Sequence, residues 1–84
     1  MSADVSQLVV LIERILAGSV VSYEEVINAD WRADGELDRF ANEAHFDLKF
    51  WVDDEDIRAK DHEYAAQKRS RLEWLLAELR GVPK

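Results

Sequence analysis

The chain has 84 residues, no cysteine and a formal net charge of −7, so we expect one small domain without disulfides. A hydrophobic fraction of 48% suffices for a core and argues against disorder, while the acidic balance disfavours nucleic acid and anionic membranes as partners. No apolar run approaches the roughly 20 residues of a bilayer span, and the first residues lack the basic stretch of a signal peptide. The sequence therefore predicts a cytoplasmic protein of bacterial type.

The first two predicted helices span about residues 3–17 and 22–31. Apolar positions recur with a 3.6-residue period through the first helix, and Gly18 suits the left-handed position just after it. The second helix opens on a capping box, in which the Ser22 hydroxyl accepts from the Glu25 backbone and the Glu25 carboxylate reaches back. Its side chains expected to face inward are Tyr23, Val26, Ile27 and Trp31.

The third predicted helix, about residues 35–52, carries more apolar surface than one face can hold. Its main stripe has three- and four-residue spacing and consists of Leu37, Phe40, Ala41, Ala44, Leu48, Trp51 and Val52. Phe46 and Phe50 lie about half a turn away from that stripe. Because a surface helix needs only one apolar stripe, this helix is either central in a bundle or offers its second face to a partner.

A short acidic turn at residues 53–60 is predicted to join the third helix to a last helix at about 62–79. Asp61 is placed to cap that last helix, and Gly81 and Pro83 are placed to stop it. Trp74 lies roughly 160° away from the apolar stripe of this helix. Together these elements predict an all-α fold: one domain over residues 1–84, a compact bundle of four helices.

Four consecutive acids, Asp53, Asp54, Glu55 and Asp56, form the first candidate site. Carboxylates can hold a hard cation, but this run lacks the alternation and the glycine of an EF-hand loop. Acids are also common where a helix begins, because they complement the helix dipole. We therefore expect no metal; the alternatives are a plain helix start or a contact with a basic partner.

Catalysis and nucleic-acid binding have little support. His45 and His62 lack the partners of a catalytic or zinc site, and the sequence has no phosphate loop or nucleophile elbow. We expect neither an enzyme nor a cofactor. Residues 64–84 hold five of the bases and only two acids, but these bases scatter around the helix without interleaved aromatics, so their expected role is to offset the acidic remainder.

The aromatic residues off the main stripes, Phe46, Phe50 and Trp74, are the remaining candidates. They either fill the core around a central third helix or form an exposed patch for self-association or for another protein. Combined with the acidic run, they define a candidate partner surface. The function predicted first is a non-catalytic, acidic protein–protein interaction module, with a homodimer through the third helix as one form of it.

Residues 56–64 have the sequence DIRAKDHEY, which resembles a D-I-R-x-K-D-x-x-Y signature in a family of small uncharacterised bacterial all-helical proteins. This resemblance covers the C-terminal two thirds of the chain and implies a connection between two long helices, with Ile57 and Tyr64 as apolar plugs. It implies no activity. In size, charge, helix content and the turn at residues 16–25, the chain also resembles colicin-type immunity proteins. That resemblance implies the alternative function, an inhibitor that meets a basic toxin through an acidic surface.

Overall fold

The computed structural model describes residues 3–81, and five α-helices lie within that part of the chain. They are α1 (Ser6–Leu16), α2 (Tyr23–Ile27), α3 (Gly35–Asp53), α4 (Glu55–Lys60) and α5 (His62–Arg80). The predicted all-α class is confirmed. The predicted count of four helices is not confirmed, because the acidic turn at 53–60 contains α4. Acids in the first turn of α4 and bases in its last turn complement its dipole.

The two longest helices, α3 and α5, have 19 residues each and lie antiparallel. Phe40 in the first half of α3 contacts Trp74 in the second half of α5. Asp54, just after α3, accepts a hydrogen bond from the Tyr64 hydroxyl in the first turn of α5. α1 packs against both long helices and α2 packs against α3, so the long pair forms the body of the molecule.

The core lies between α1, α3 and α5, and α2 contributes Val26. Its buried side chains are aliphatic: Leu8, Leu11, Ile12, Ile15, Val21, Val26, Ala41, Ala44, Leu48, Leu72, Leu75 and Leu79. Burial of such side chains supplies most of the stability of a small domain, at roughly 25 cal/mol per Å² of apolar area. α4 contributes no buried residue and is held at the edge of this core.

Three predicted helix ends are confirmed by hydrogen bonds or by backbone conformation. The capping box of α2 is formed, with Glu25 N donating to Ser22 Oγ at 3.1 Å and Ser22 N donating to Glu25 Oε2 at 2.9 Å. Gly18 follows α1 with φ of 91°, which an L side chain rarely adopts. Asp61 caps α5 by accepting from Tyr64 N at 3.0 Å. These ends depend on chemistry within a few residues, which is why the sequence predicts them.

Two helix bounds differ from the prediction because of a contact between distant residues. Asp4 and Arg32 form an antiparallel β-bridge, in which each backbone N–H donates to the other residue's carbonyl at 2.7 and 2.8 Å. Extended backbone is needed on both sides of such a bridge. α1 accordingly begins at Ser6 instead of near residue 3, and α2 ends at Ile27 instead of near residue 31.

The end of α5 lies close to its predicted position. α5 ends at Arg80, and Gly81 takes the left-handed conformation with φ of 66°. Pro83, the second predicted stop, lies outside the described residues. Between residues 3 and 81, no helix combines the length and the apolar character needed to cross a bilayer.

Candidate partner-binding surface

The second apolar face of α3 points away from the core. The Phe46 and Phe50 side chains are 57% and 41% exposed, whereas Leu48, between them in sequence, is completely buried. The two phenyl rings contact each other edge to face, with centroids 4.7 Å apart and planes at 67°. This is the i,i+4 spacing at which side chains meet on a helix surface. The pair therefore forms an aromatic ridge on the surface of α3.

Tyr23 extends this ridge from a neighbouring helix. Tyr23, Phe46, Lys49, Phe50 and Asp53 line one shallow groove, which we call the aromatic surface. The prediction that Tyr23 faces inward is wrong, since Tyr23 is exposed at the first position of a helix of only five residues. The sequence missed this because it predicted a helix over about residues 22–31, whereas α2 has only five residues and turns only Val26 fully into the core.

Ile27 and Trp31, also expected to face inward, differ from each other. Ile27 is exposed on α2, because that short helix turns only Val26 fully into the core. Trp31 is half-buried; its ring lies 4.9 Å from the His45 ring, and its indole N–H donates to Asp38 Oδ1 at 3.3 Å. Neither side chain belongs to the aromatic surface.

Trp74 does not join the phenylalanine pair. Its indole packs edge to face on Phe40, with centroids 5.4 Å apart and planes at 79°, and it is 40% exposed. The Arg71 guanidinium lies 5.1 Å from the Trp74 ring centroid and also lines a groove beside Phe46. Arg71 therefore lies between two separate exposed aromatic groups along the seam of α3 and α5.

Cations on α5 contact acids and an aromatic ring of α3 along this seam. Arg71 Nε lies 2.9 Å from Asp47 Oδ2, and its Nη2 lies 3.5 Å from Glu43 Oε1. One turn earlier, Lys68 Nζ lies 5.7 Å from the Phe50 ring centroid and 5.5 Å from that of Tyr64. Exposed ion pairs contribute only about 0–1 kcal/mol each. These contacts therefore add little stability, and they place two cations beside the exposed rings.

The acidic run is divided by the end of α3. Asp53 is exposed and borders the aromatic surface, while Asp54 is partly buried and accepts the Tyr64 hydroxyl hydrogen bond. That hydrogen bond raises the pKa of Tyr64 above its usual value, because it favours the protonated phenol. Glu55 and Asp56 are exposed in the first turn of α4. The run therefore presents three outward carboxylates, and within residues 3–81 none of the three forms an ion pair.

The histidines occupy structural or exposed positions. His45 Nε2 lies 2.9 Å from the Val26 carbonyl oxygen, and because a carbonyl can only accept, this nitrogen carries the proton. The bond ties α3 to α2. His62 is exposed at the start of α5. Among the residues described, no three His, Asp or Glu side chains come together in a group that could hold a metal ion.

No protein-family model, curated protein or solved structure matches this chain. The fold and the surface together define a small acidic all-α domain with exposed aromatic rings beside carboxylates. In this surface the rings offer apolar area, and the carboxylates offer charge at its edge.

Proposed function

We propose that this protein is a non-catalytic interaction module that binds a basic protein partner in the bacterial cytoplasm through its aromatic surface. The observation that carries this proposal is the exposure of Phe46 and Phe50, whose rings contact each other and line one groove with Tyr23. Each exposed aromatic ring keeps apolar area in water at a cost that a partner would remove. Aromatic residues are also enriched among the side chains that dominate binding energy.

The charge beside the rings indicates the chemistry of the partner. Asp53 and Lys49 both line the aromatic surface, so the acidic bias comes from Glu55 and Asp56 in the first turn of α4 and from the net charge of −7. A basic protein would approach this edge faster and be held in register by it, whereas an acidic one would be repelled. A second copy of this chain is the less favoured occupant, because each copy carries a net charge of −7.

A capture experiment with matched variants tests this proposal. The double variant Phe46→Ala/Phe50→Ala removes the ridge, and Val20→Ala removes an exposed apolar side chain elsewhere, on the loop between α1 and α2. Immobilised wild-type protein should retain a basic protein from a bacterial extract, and added salt should weaken retention. The double variant should lose that protein and Val20→Ala should keep it. Equal retention by all three would contradict the proposal.

Sedimentation equilibrium tests whether a second copy of the chain covers the aromatic surface instead. Wild-type protein should remain monomeric as its concentration is raised, because like charges oppose pairing of two aromatic surfaces. A dimer that is abolished by Phe46→Ala/Phe50→Ala and kept by Val20→Ala would show that a second copy covers the rings. The basic partner would then be the wrong occupant.

An inhibitor of a basic bacterial toxin is the second candidate. It is favoured by the three outward carboxylates without ion pairs, since a toxin that acts on nucleic acid presents a basic site. The likeness to colicin-type immunity proteins points in the same direction. Co-expression with the product of a neighbouring gene distinguishes the candidates: an inhibitor restores growth that the gene product alone prevents. The variant Asp53→Asn/Glu55→Gln/Asp56→Asn should restore less growth than wild type.

A further inference from the structure

A second cleft lies between the loop after α1 and the junction of α3 with α4. It has a volume of about 210 Å³, and its lining includes Ser19, Trp51, Glu55, Arg58 and Arg69. The cleft and the aromatic surface share no lining residue. Two arginines thus line one recess of a protein whose net charge is −7.

Both arginines are held in place by helix ends. The Arg58 guanidinium carbon lies 4.0 Å from the Trp51 ring centroid, and Arg58 Nη1 donates to the Trp51 carbonyl. Arg69 Nη2 donates to the Leu16 carbonyl at 3.1 Å, at the last residue of α1. A guanidinium carries five N–H donors, so these contacts leave most donors of both groups for a ligand.

Neither guanidinium has a carboxylate partner. Arg14 and Arg71 form ion pairs, but within residues 3–81 no carboxylate oxygen lies within 4.0 Å of a guanidinium nitrogen of Arg58 or Arg69. Glu55 also lines the cleft, but its side chain is exposed and joins neither arginine in an ion pair. Partial burial of two like charges without a carboxylate in direct contact is unfavourable, although the charges of Glu55 and Asp54 offset part of this cost at Arg58. An anion in the cleft would remove that cost.

Burial also disfavours the charged form of Arg58. It lowers the pKa of Arg58 from its usual value, although the nearby carboxylates of Glu55 and Asp54 act in the opposite direction. The group remains a cation at neutral pH, since arginine loses its proton only far above that range. A half-buried cation stacked on an indole is a rigid donor, because its plane is fixed before a ligand arrives.

We infer that this cleft binds a compact oxyanion, with a phosphate or carboxylate group held by Arg58 and Arg69. Guanidinium donors match the oxygens of such groups in paired hydrogen bonds. The Ser19 hydroxyl in the lining supplies a further donor. The volume is smaller than the roughly 300–1,000 Å³ of pockets for drug-sized ligands, so it suits a compact group. This inference does not depend on the proposed function.

Nuclear magnetic resonance titration tests the inference on the whole chain. Inorganic phosphate and acetate are added in separate series at constant ionic strength, and the arginine Nε–H and tryptophan indole N–H signals are followed. A saturable shift at Arg58, Arg69 and Trp51 is expected in at least one series. Saturation by phosphate, by acetate or by both supports the site and identifies which oxygen geometry it accepts. Linear, unsaturated shifts in both series would overturn it.

Matched variants locate the site. Arg69→Gln should weaken binding about tenfold, the loss expected when a charged hydrogen-bond donor is removed. Arg39→Gln removes the same charge from an exposed position on α3 and should leave binding unchanged. Equal weakening by the two variants would overturn the inference, because it would indicate a general effect of charge.

A third variant changes the rim of the cleft. Glu55→Gln removes a competing negative charge from an exposed position and should tighten binding several-fold. Asp30→Asn removes an exposed acid that is not among the lining residues and should have no such effect. Unchanged affinity in Glu55→Gln would contradict the assignment of the anion to this cleft.

Discussion

Two residues separated by one position on α3 show how this helix divides its apolar side chains. Leu48 has none of its side chain exposed, and Phe46 has 57% exposed. Successive helix positions are 100° apart, so a step of two positions turns the side-chain direction by about 200°. The two side chains therefore point to nearly opposite sides of the helix. The sequence placed Phe46 off the main stripe but left open whether a neighbouring helix covers it. That depends on how the helices pack, which no local pattern records.

Truncation of these side chains should affect stability very differently. Leu48→Ala should lower the free energy of unfolding by about 2–5 kcal/mol, since it removes buried methyl groups and leaves a cavity. Phe46→Ala should lower it by less than about 1 kcal/mol, because the ring is largely in water already. Urea unfolding followed by circular dichroism measures both. A loss of 3 kcal/mol or more for Phe46→Ala would place the ring inside the core.

At the scale of elements, the sequence predicts best the ends that depend on local chemistry. The capping box at Ser22, the left-handed Gly18 and the cap at Asp61 need only a few consecutive residues. Asp34 shows the limit of such rules: it directly precedes α3 and is a residue type common at that position, but its side chain makes no capping hydrogen bond. The end of α2 and the start of α1 depend on a bridge between residues 28 positions apart, so the sequence could not predict them.

The candidate site also has features that the local sequence reveals and features that depend on how the helices pack. The sequence identifies Phe46 and Phe50 as excess aromatic residues, because periodicity alone reveals them. It does not reveal that Trp74 packs on Phe40, or that Arg71 separates it from the phenylalanine pair. Those positions depend on the antiparallel register of α3 and α5.

The capping box of α2 should make stability depend on pH in the acid range. A hydrogen bond from Arg14 at 2.8 Å and one from the Ser22 backbone lower the pKa of Glu25 below its usual 4.5. The stabilisation is therefore present above that value and is lost as pH falls through the lower folded pKa. Glu25→Gln should be less stable than wild type at neutral pH, and the difference should shrink below pH 4.5.

Urea midpoints measured from neutral to acid pH would check this prediction. Glu24→Gln is the control, because it removes the neighbouring charge without breaking the contact with Arg14. A difference between wild type and Glu25→Gln that stays constant as the pH falls would contradict the proposed origin of the effect.

At the scale of the whole molecule, folding redistributes the uneven charge of the sequence. Arg71 and Arg80 from the C-terminal segment form ion pairs with carboxylates on α3 and α1. The carboxylates of Asp53, Glu55 and Asp56 have no such partner among the described residues. Arg71 and Arg80 thus offset acids of the body, whereas the junction of α3 and α4 carries both these three carboxylates and the cleft lined by Arg58 and Arg69.

The single core predicts one cooperative transition for most of the molecule, with α4 as the exception. Because α1, α3 and α5 share one buried cluster, Leu8→Ala in α1 should shift the unfolding midpoints measured by circular dichroism and by tryptophan fluorescence equally. α4 buries no residue, so its amides should exchange with deuterium through local opening, faster than those around Leu48 and Leu75. Unequal shifts of the two unfolding midpoints in Leu8→Ala would contradict a single cooperative core. Equal protection of the α4 and α3 amides from exchange would contradict local opening of α4.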